Sequence, residues 1–141
     1  MNDAGSALPG LLFTAAVFAV AAALHARLGW ALARRIGPEI LVVSVLAAAV
    51  VVTTMLVSVW AVQMAALGVS VQASVLSRNA FYLFAPALVG FTLSGLSIRK
   101  SLRNTGDSRP SAALIVRAVV AFFGGFAIIL VAALVLDIAR L

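Results

Sequence analysis

Residues able to perform acid–base or metal chemistry are few in this chain. It has one histidine, His25, and no cysteine. Its four carboxylates are Asp3, Glu39, Asp107 and Asp137. Metal sites and membrane enzymes need several such groups that converge on one point. We therefore expect no metal, no cofactor and no catalytic residue here.

His25 lies near the end of the first long apolar stretch, two residues before Arg27. A lone histidine at such a place can be an interfacial residue, or it can shuttle a proton or serve as a ligand. Glu39 opens the second apolar stretch and is expected on the same side of the protein, so a contact between His25 and Glu39 is geometrically allowed. Both interpretations of His25 stay open.

Arg117 lies inside an apolar run that extends from 112 to 136. A charge within a bilayer is costly and is a functional hypothesis by default. However, Arg117 falls within about two turns of the start of the run, where a long side chain can reach the lipid headgroups. It is therefore either a membrane anchor or a contact with a partner or substrate.

Hydroxyl residues recur at helical spacing in the second apolar stretch. Thr54 and Ser58 are four residues apart, with Ala61 three further on, so all three lie on one helix face. Membrane helices pack through small and hydroxyl residues, and the same residues can also line a polar pathway. Thr54 and Ser58 are therefore candidate partner or pathway contacts.

The third and fourth stretches carry small residues and a proline. Gly90 and Ser94 have the small-xxx-small spacing that allows helices to approach closely, and Gly124 and Gly125 have the same potential. Pro86 frees one carbonyl of its helix, a feature found at the binding sites of some transporters and also tolerated as plain structure. We expect helix–helix contacts here, within the chain or with another subunit.

A basic run, Arg99, Lys100 and Arg103, follows the third apolar stretch. It can bind anionic lipid headgroups or a soluble partner, and its effect on membrane orientation also explains it.

Composition identifies the environment in which these residues act. Of the 141 residues, 65% are hydrophobic and 10% are charged, against roughly 45–50% and 25% in soluble domains. A soluble protein of this size cannot cover so much apolar surface, so the solvent must be a lipid bilayer. The net charge of +6 lies mostly in short loops, which favours a role in orientation over nucleic-acid binding.

Four apolar stretches predict transmembrane helices at about 8–26, 40–67, 80–98 and 112–136. Each is roughly twice as long as a barrel strand and does not alternate in polarity, so helices are favoured over a β-barrel. The predicted fold is an all-α integral membrane protein, a single domain built as an up-and-down bundle of four helices.

Orientation follows from the loops 27–39 and 99–111. Eight basic residues lie in these loops or at Arg117, and two, Arg78 and Arg140, lie on the opposite side. The positive-inside rule then places both loops in the cytoplasm and both termini outside. The bias towards arginine over lysine and the abundance of alanine and valine suggest a GC-rich prokaryotic genome, and hence the plasma (inner) membrane of a prokaryote.

No carboxylate lies within any predicted span, which argues against proton- or cation-coupled transport. Two classes of function remain. The first is an accessory or assembly subunit that packs against larger membrane proteins. The second is a small homo-oligomeric transporter or channel for an anion or a neutral solute.

Overall fold

The computed structural model describes residues 4–104 and 109–140, with side chains from residue 8 onwards. It contains four long helices: α1 (Ala4–Arg35), α2 (Ile40–Ala66), α3 (Ala73–Asn104) and α4 (Ala112–Ala139). All four are long and apolar enough to cross a membrane, since even the 27 residues of α2 extend about 40 Å against a hydrocarbon core of about 30 Å. The predicted bundle of four transmembrane helices is confirmed.

Two helices are longer than the sequence predicts. α1 continues past residue 26 to Arg35, and α3 extends from Ala73 to Asn104 instead of from 80 to 98. Hydropathy marks where a helix leaves the hydrocarbon, whereas the backbone stays helical until a residue breaks it. Arginine, lysine and leucine are good helix formers, so both helices continue into water at their basic ends.

Local signals explain where the helices stop or start. α1 ends just before Gly37, which has a φ of 134° that few other residues adopt. α2 ends in a Schellman motif: Gly68 has a φ of 73°, and the amides of Gly68 and Val69 donate to the carbonyls of Ala65 and Met64. Ser111 is the N-cap of α4, because its hydroxyl accepts a hydrogen bond from the Leu114 amide.

The up-and-down order gives the bundle two ends. The basic end holds the α1–α2 and α3–α4 connections, and the terminal end holds both chain termini and the α2–α3 connection. α3 is the central helix, because it packs most extensively against α4 and α2 and also contacts α1. Within the described residues α2 and α4 do not touch.

The core consists of two clusters of buried side chains. Towards the basic end, Trp30 packs with Ile98 and Leu114. Further in, Phe18, Phe91 and Phe122 form an aromatic cluster, with ring centroids 5.4 Å apart for Phe18 and Phe122 and 4.7 Å apart for Phe91 and Phe122. These three rings are almost fully buried and fill the centre of the bundle.

Candidate functional site

The buried polar centre of the bundle is His25. The sequence allows an interfacial histidine near Glu39, but α1 continues ten residues beyond His25, which places it about 15 Å from the helix end and in the core. Its Nε2 atom lies 3.1 Å from the Ser44 hydroxyl oxygen on α2. Ser44 is therefore its partner, while Glu39 is exposed.

Hydrogen-bond counting fixes the tautomer of His25. The Ser44 hydroxyl donates its single proton to the Leu41 carbonyl, 2.9 Å away. It must therefore accept the bond from His25, so the histidine proton lies on Nε2. This leaves the Nδ1 atom as an acceptor, buried and without a hydrogen-bond partner.

Ser94 on α3 adds a second unpartnered polar atom at this level. Its side chain is fully buried, and its Oγ has no hydrogen-bond partner. On α3 it lies between Phe91, whose ring meets His25 edge-on at 5.2 Å, and Ile98, whose side chain lies against Gly29. The side chains of His25, Ser44 and Ser94 thus form a buried polar layer where α1, α2 and α3 meet.

The predicted hydroxyl residues of α2 face away from the core. Thr54 and Ser58 are both exposed, whereas the adjacent Thr53 is 5% exposed and its Oγ1 has no hydrogen-bond partner. Thr53 and Thr54 lie in a shallow depression of about 240 Å³ between α2 and α3. We call Thr54, Ser58 and this depression the hydroxyl face; the depression is lined by Val50, Thr53, Thr54, Ala80, Phe81 and Phe84.

Close packing of α3 on α4 depends on two of the predicted glycines. A methyl group at Gly90 would lie 2.7 Å from the Phe122 ring and 2.8 Å from the Phe122 carbonyl oxygen. One at Gly125 would lie 3.2 Å from the Gly90 α-carbon. The contact is therefore within the chain, while Gly124 is exposed with open space beside it.

Pro86 is buried thirteen residues into α3. The predicted span from residue 80 would have placed it near the start of the helix, but α3 begins earlier, at Ala73. The helix continues through it unbroken. Proline has no amide proton, so the Tyr82 carbonyl has no donor at position 86.

The predicted charged contacts lie on the surface. Arg117 is exposed five residues after the start of α4, about 8 Å along the helix. That depth suits a side chain that extends to the headgroups. Arg99, Lys100 and Arg103 are exposed on the last turns of α3, at the same basic end.

One feature is absent from the sequence prediction: a cavity of about 1090 Å³ at the terminal end, here called the terminal groove. It lies between the first turns of α1 and the facing parts of α2 and α3, with Leu130 contributed by α4. Sequence periodicity shows which residues share a face but not where two helices diverge. Its polar lining residues are Thr14, Trp60, Gln63, Asn79 and Tyr82.

No group of three or more metal-ligating side chains occurs among residues 4–104 and 109–140. The structure thus brings together His25 with Ser44, and Gly90 with Gly125 at the α3–α4 contact, while Ser94 is buried on α3 without a polar contact. It separates Arg117, the hydroxyl face and the basic run on the surface. Comparison of the chain with protein-family models, with curated proteins and with solved structures finds no match.

Proposed function

We propose that this chain is a small accessory or assembly subunit that docks its hydroxyl face on a transmembrane helix of a larger membrane protein. We further propose that the basic end faces the cytoplasm of a prokaryotic cell, with both termini on the other side of the plasma membrane. The excess of basic residues at one end supports this orientation.

The observation that carries the proposal is that the Thr54 and Ser58 hydroxyls on α2 are exposed and lack a hydrogen bond within the described chain. Some helix hydroxyls, such as those of Thr14, Ser77 and Thr92, donate to a carbonyl four residues back in their own helix, and the Thr92 hydroxyl lies 2.7 Å from the Leu88 carbonyl. Thr54 and Ser58 are exposed on a lateral face and make no such bond within the described chain. A hydroxyl facing hydrocarbon without a partner costs free energy, and a helix that packs there can supply the acceptor.

The shape of the hydroxyl face agrees with this role. The depression between α2 and α3 is wide enough for a side chain of a docked helix, and the buried Thr53 hydroxyl beneath it lacks a partner. Interhelical hydrogen bonds in membranes contribute about 0.6 kcal/mol on average. Several such bonds, together with close packing, favour a specific contact over lipid.

The packing of the core argues against a solute pathway through a single copy of the chain. The Phe18, Phe91 and Phe122 rings fill the bundle centre. A transporter or channel built from this chain would therefore place its pathway between copies, and the same hydroxyl face would then mediate self-association.

The test uses the absence of cysteine from the chain. Thr54→Cys and Ser58→Cys each introduce one thiol on the hydroxyl face, and Thr92→Cys introduces one at an exposed α3 hydroxyl that is satisfied by its own helix. Each thiol is labelled with benzophenone maleimide and irradiated in membranes of the native host.

We expect Thr54→Cys and Ser58→Cys to yield an adduct with a larger, different membrane protein, and Thr92→Cys to yield none. An adduct of twice the chain mass would overturn the accessory role in favour of a homo-oligomer. Equal, nonspecific labelling at all three positions would exclude docking at this face.

A further inference from the structure

We propose that the terminal groove binds a membrane lipid that carries an anionic phosphate headgroup, with an acyl chain inside the groove. This site is separate from the hydroxyl face and does not depend on the proposed docking function. The inference rests on the size of the groove, the order of apolar and polar residues along it and the charge at its mouth.

The size and walls of the groove suit an acyl chain. Its volume of about 1090 Å³ slightly exceeds the roughly 300–1,000 Å³ typical of ligand cavities. Its deeper part is lined by Phe13, Leu56 and Leu83, from three different helices. Two of its lining side chains, Phe13 and Tyr82, are exposed on the outside of the bundle, so the groove is accessible from the surroundings of the protein.

The side-chain amides of the groove lie at its terminal end, while Thr14, deeper in the groove, donates its hydroxyl proton to the Gly10 carbonyl of its own helix. Gln63 is seven residues beyond Leu56 on α2, about 10 Å nearer the terminal end. Asn79 precedes Leu83 by one turn on α3, so both amides lie at the same mouth. The groove is therefore apolar inside and carries amide donors at its mouth. A lipid has the matching arrangement, with an apolar acyl chain and a polar headgroup at the membrane surface.

Charge at the mouth favours an anionic headgroup. Arg78 is exposed, directly precedes Asn79 and lies one turn from Tyr82 on the same helix face. Trp60, which also lines the groove, is typical of the headgroup level. Arg78 lies beside the groove and does not line it, and the other described charges of the terminal end, Asp137 and Arg140 at the end of α4, are of opposite sign to each other.

Fluorescence of Trp60 reports directly on the occupant. The chain has two tryptophans, and Trp30→Phe leaves Trp60 as the single emitter. This variant is reconstituted in bilayers that contain brominated phosphatidylglycerol or brominated phosphatidylcholine, because bromine quenches a tryptophan that it touches. Competition with the unbrominated lipids gives the ratio of the two binding constants.

Both lipids carry a phosphate, but phosphatidylcholine also carries a positive choline and has no net charge. We therefore expect phosphatidylglycerol to bind about fivefold more tightly, since one arginine near a headgroup of net negative charge contributes about 1 kcal/mol. Arg78→Gln should reduce the ratio to about one. If Trp30→Phe does not fold, the native chain serves, since Trp30 is buried at the basic end and contributes a constant background.

A matched pair of glycine variants tests whether the groove itself holds the lipid. A side chain at either Gly10 or Gly124 meets open space, but only Gly10 lines the groove. Gly10→Leu should therefore lower quenching of Trp60 by both lipids, and Gly124→Leu should not.

Three results would overturn the proposal. They are equal binding of the two lipids in the native groove, quenching unchanged by Gly10→Leu, and a Trp60 that no lipid quenches. The last result would indicate that a second copy or another protein fills the groove.

Discussion

Gly90→Ala should destabilise the bundle although alanine is the better helix former. In a helix interior, glycine to alanine is favourable by about 1 kcal/mol. The added methyl group, however, would lie 2.7 and 2.8 Å from two carbons of the Phe122 ring and 2.8 Å from its carbonyl oxygen. Carbon atoms in contact normally lie about 3.5–4.0 Å apart, so α3 and α4 must separate.

The Phe122 ring cannot move aside cheaply. It packs against Phe91 at 4.7 Å, Phe123 at 5.4 Å and Phe126 at 5.9 Å, and its carbonyl is part of the α4 backbone. Overpacking of this kind costs about 1–3 kcal/mol. After the gain in helix propensity, we expect the free energy of unfolding to fall by up to about 2 kcal/mol.

Reversible unfolding in mixed micelles, followed by tryptophan fluorescence, measures this change. Gly124→Ala is the matched control, since its methyl group meets no atom within 4 Å. The control should be neutral or slightly stabilising. If Gly90→Ala proved as stable as Gly124→Ala, the close approach of α3 and α4 at Gly90 would be refuted.

Three further substitutions have defined outcomes. Ser44→Ala leaves His25 without its hydrogen bond and should lower the free energy of unfolding by about 1–3 kcal/mol. The control is Ser97→Ala, which removes a hydroxyl bonded to its own helix backbone and should change the free energy of unfolding by less than about 0.5 kcal/mol. Equal effects of the two substitutions would contradict the buried polar layer. Ser111→Ala removes the α4 cap and should cost about 1 kcal/mol in the same unfolding measurement, and no loss would show that the cap is dispensable. Arg117→Ala should leave co-purification with partner subunits intact if the side chain only anchors α4, and loss of the partner would identify Arg117 as a contact.

Sequence reasoning identified the helices because their apolar runs are long and uncharged. It placed the ends of α1 and α3 too early, since charge marks the edge of the hydrocarbon and not the end of a helix. The predicted end of the first span at residue 26 also allowed His25 to be interpreted as a residue of the membrane interface. Once α1 extends to Arg35, the histidine lies in the core, where Ser44 satisfies it.

Helix faces were harder to assign than helices. The spacing of Thr54 and Ser58 shows that they share a face, but not whether that face is inside the bundle. The structure turns Thr53 inward and Thr54 and Ser58 outward. Likewise, Gly124 and Gly125 are equivalent in the sequence, and only the packing of α3 shows that Gly125 is the contact residue.

The terminal groove could not be derived from the sequence at all. It is lined by residues of all four helices, and how those helices cross depends on their packing and not on residue periodicity. Gln63 and Asn79 lie on different helices, and only the three-dimensional structure shows that both line the same cavity.

The most direct test of the accessory-subunit proposal is native mass spectrometry of the tagged protein, purified in mild detergent from its own host. We expect a larger, distinct subunit to co-purify at a fixed ratio. The doubly substituted Thr54→Val, Ser58→Ala protein should lose that subunit, and Thr92→Val should retain it. Recovery of monomers or homo-oligomers with no other subunit would contradict the proposal.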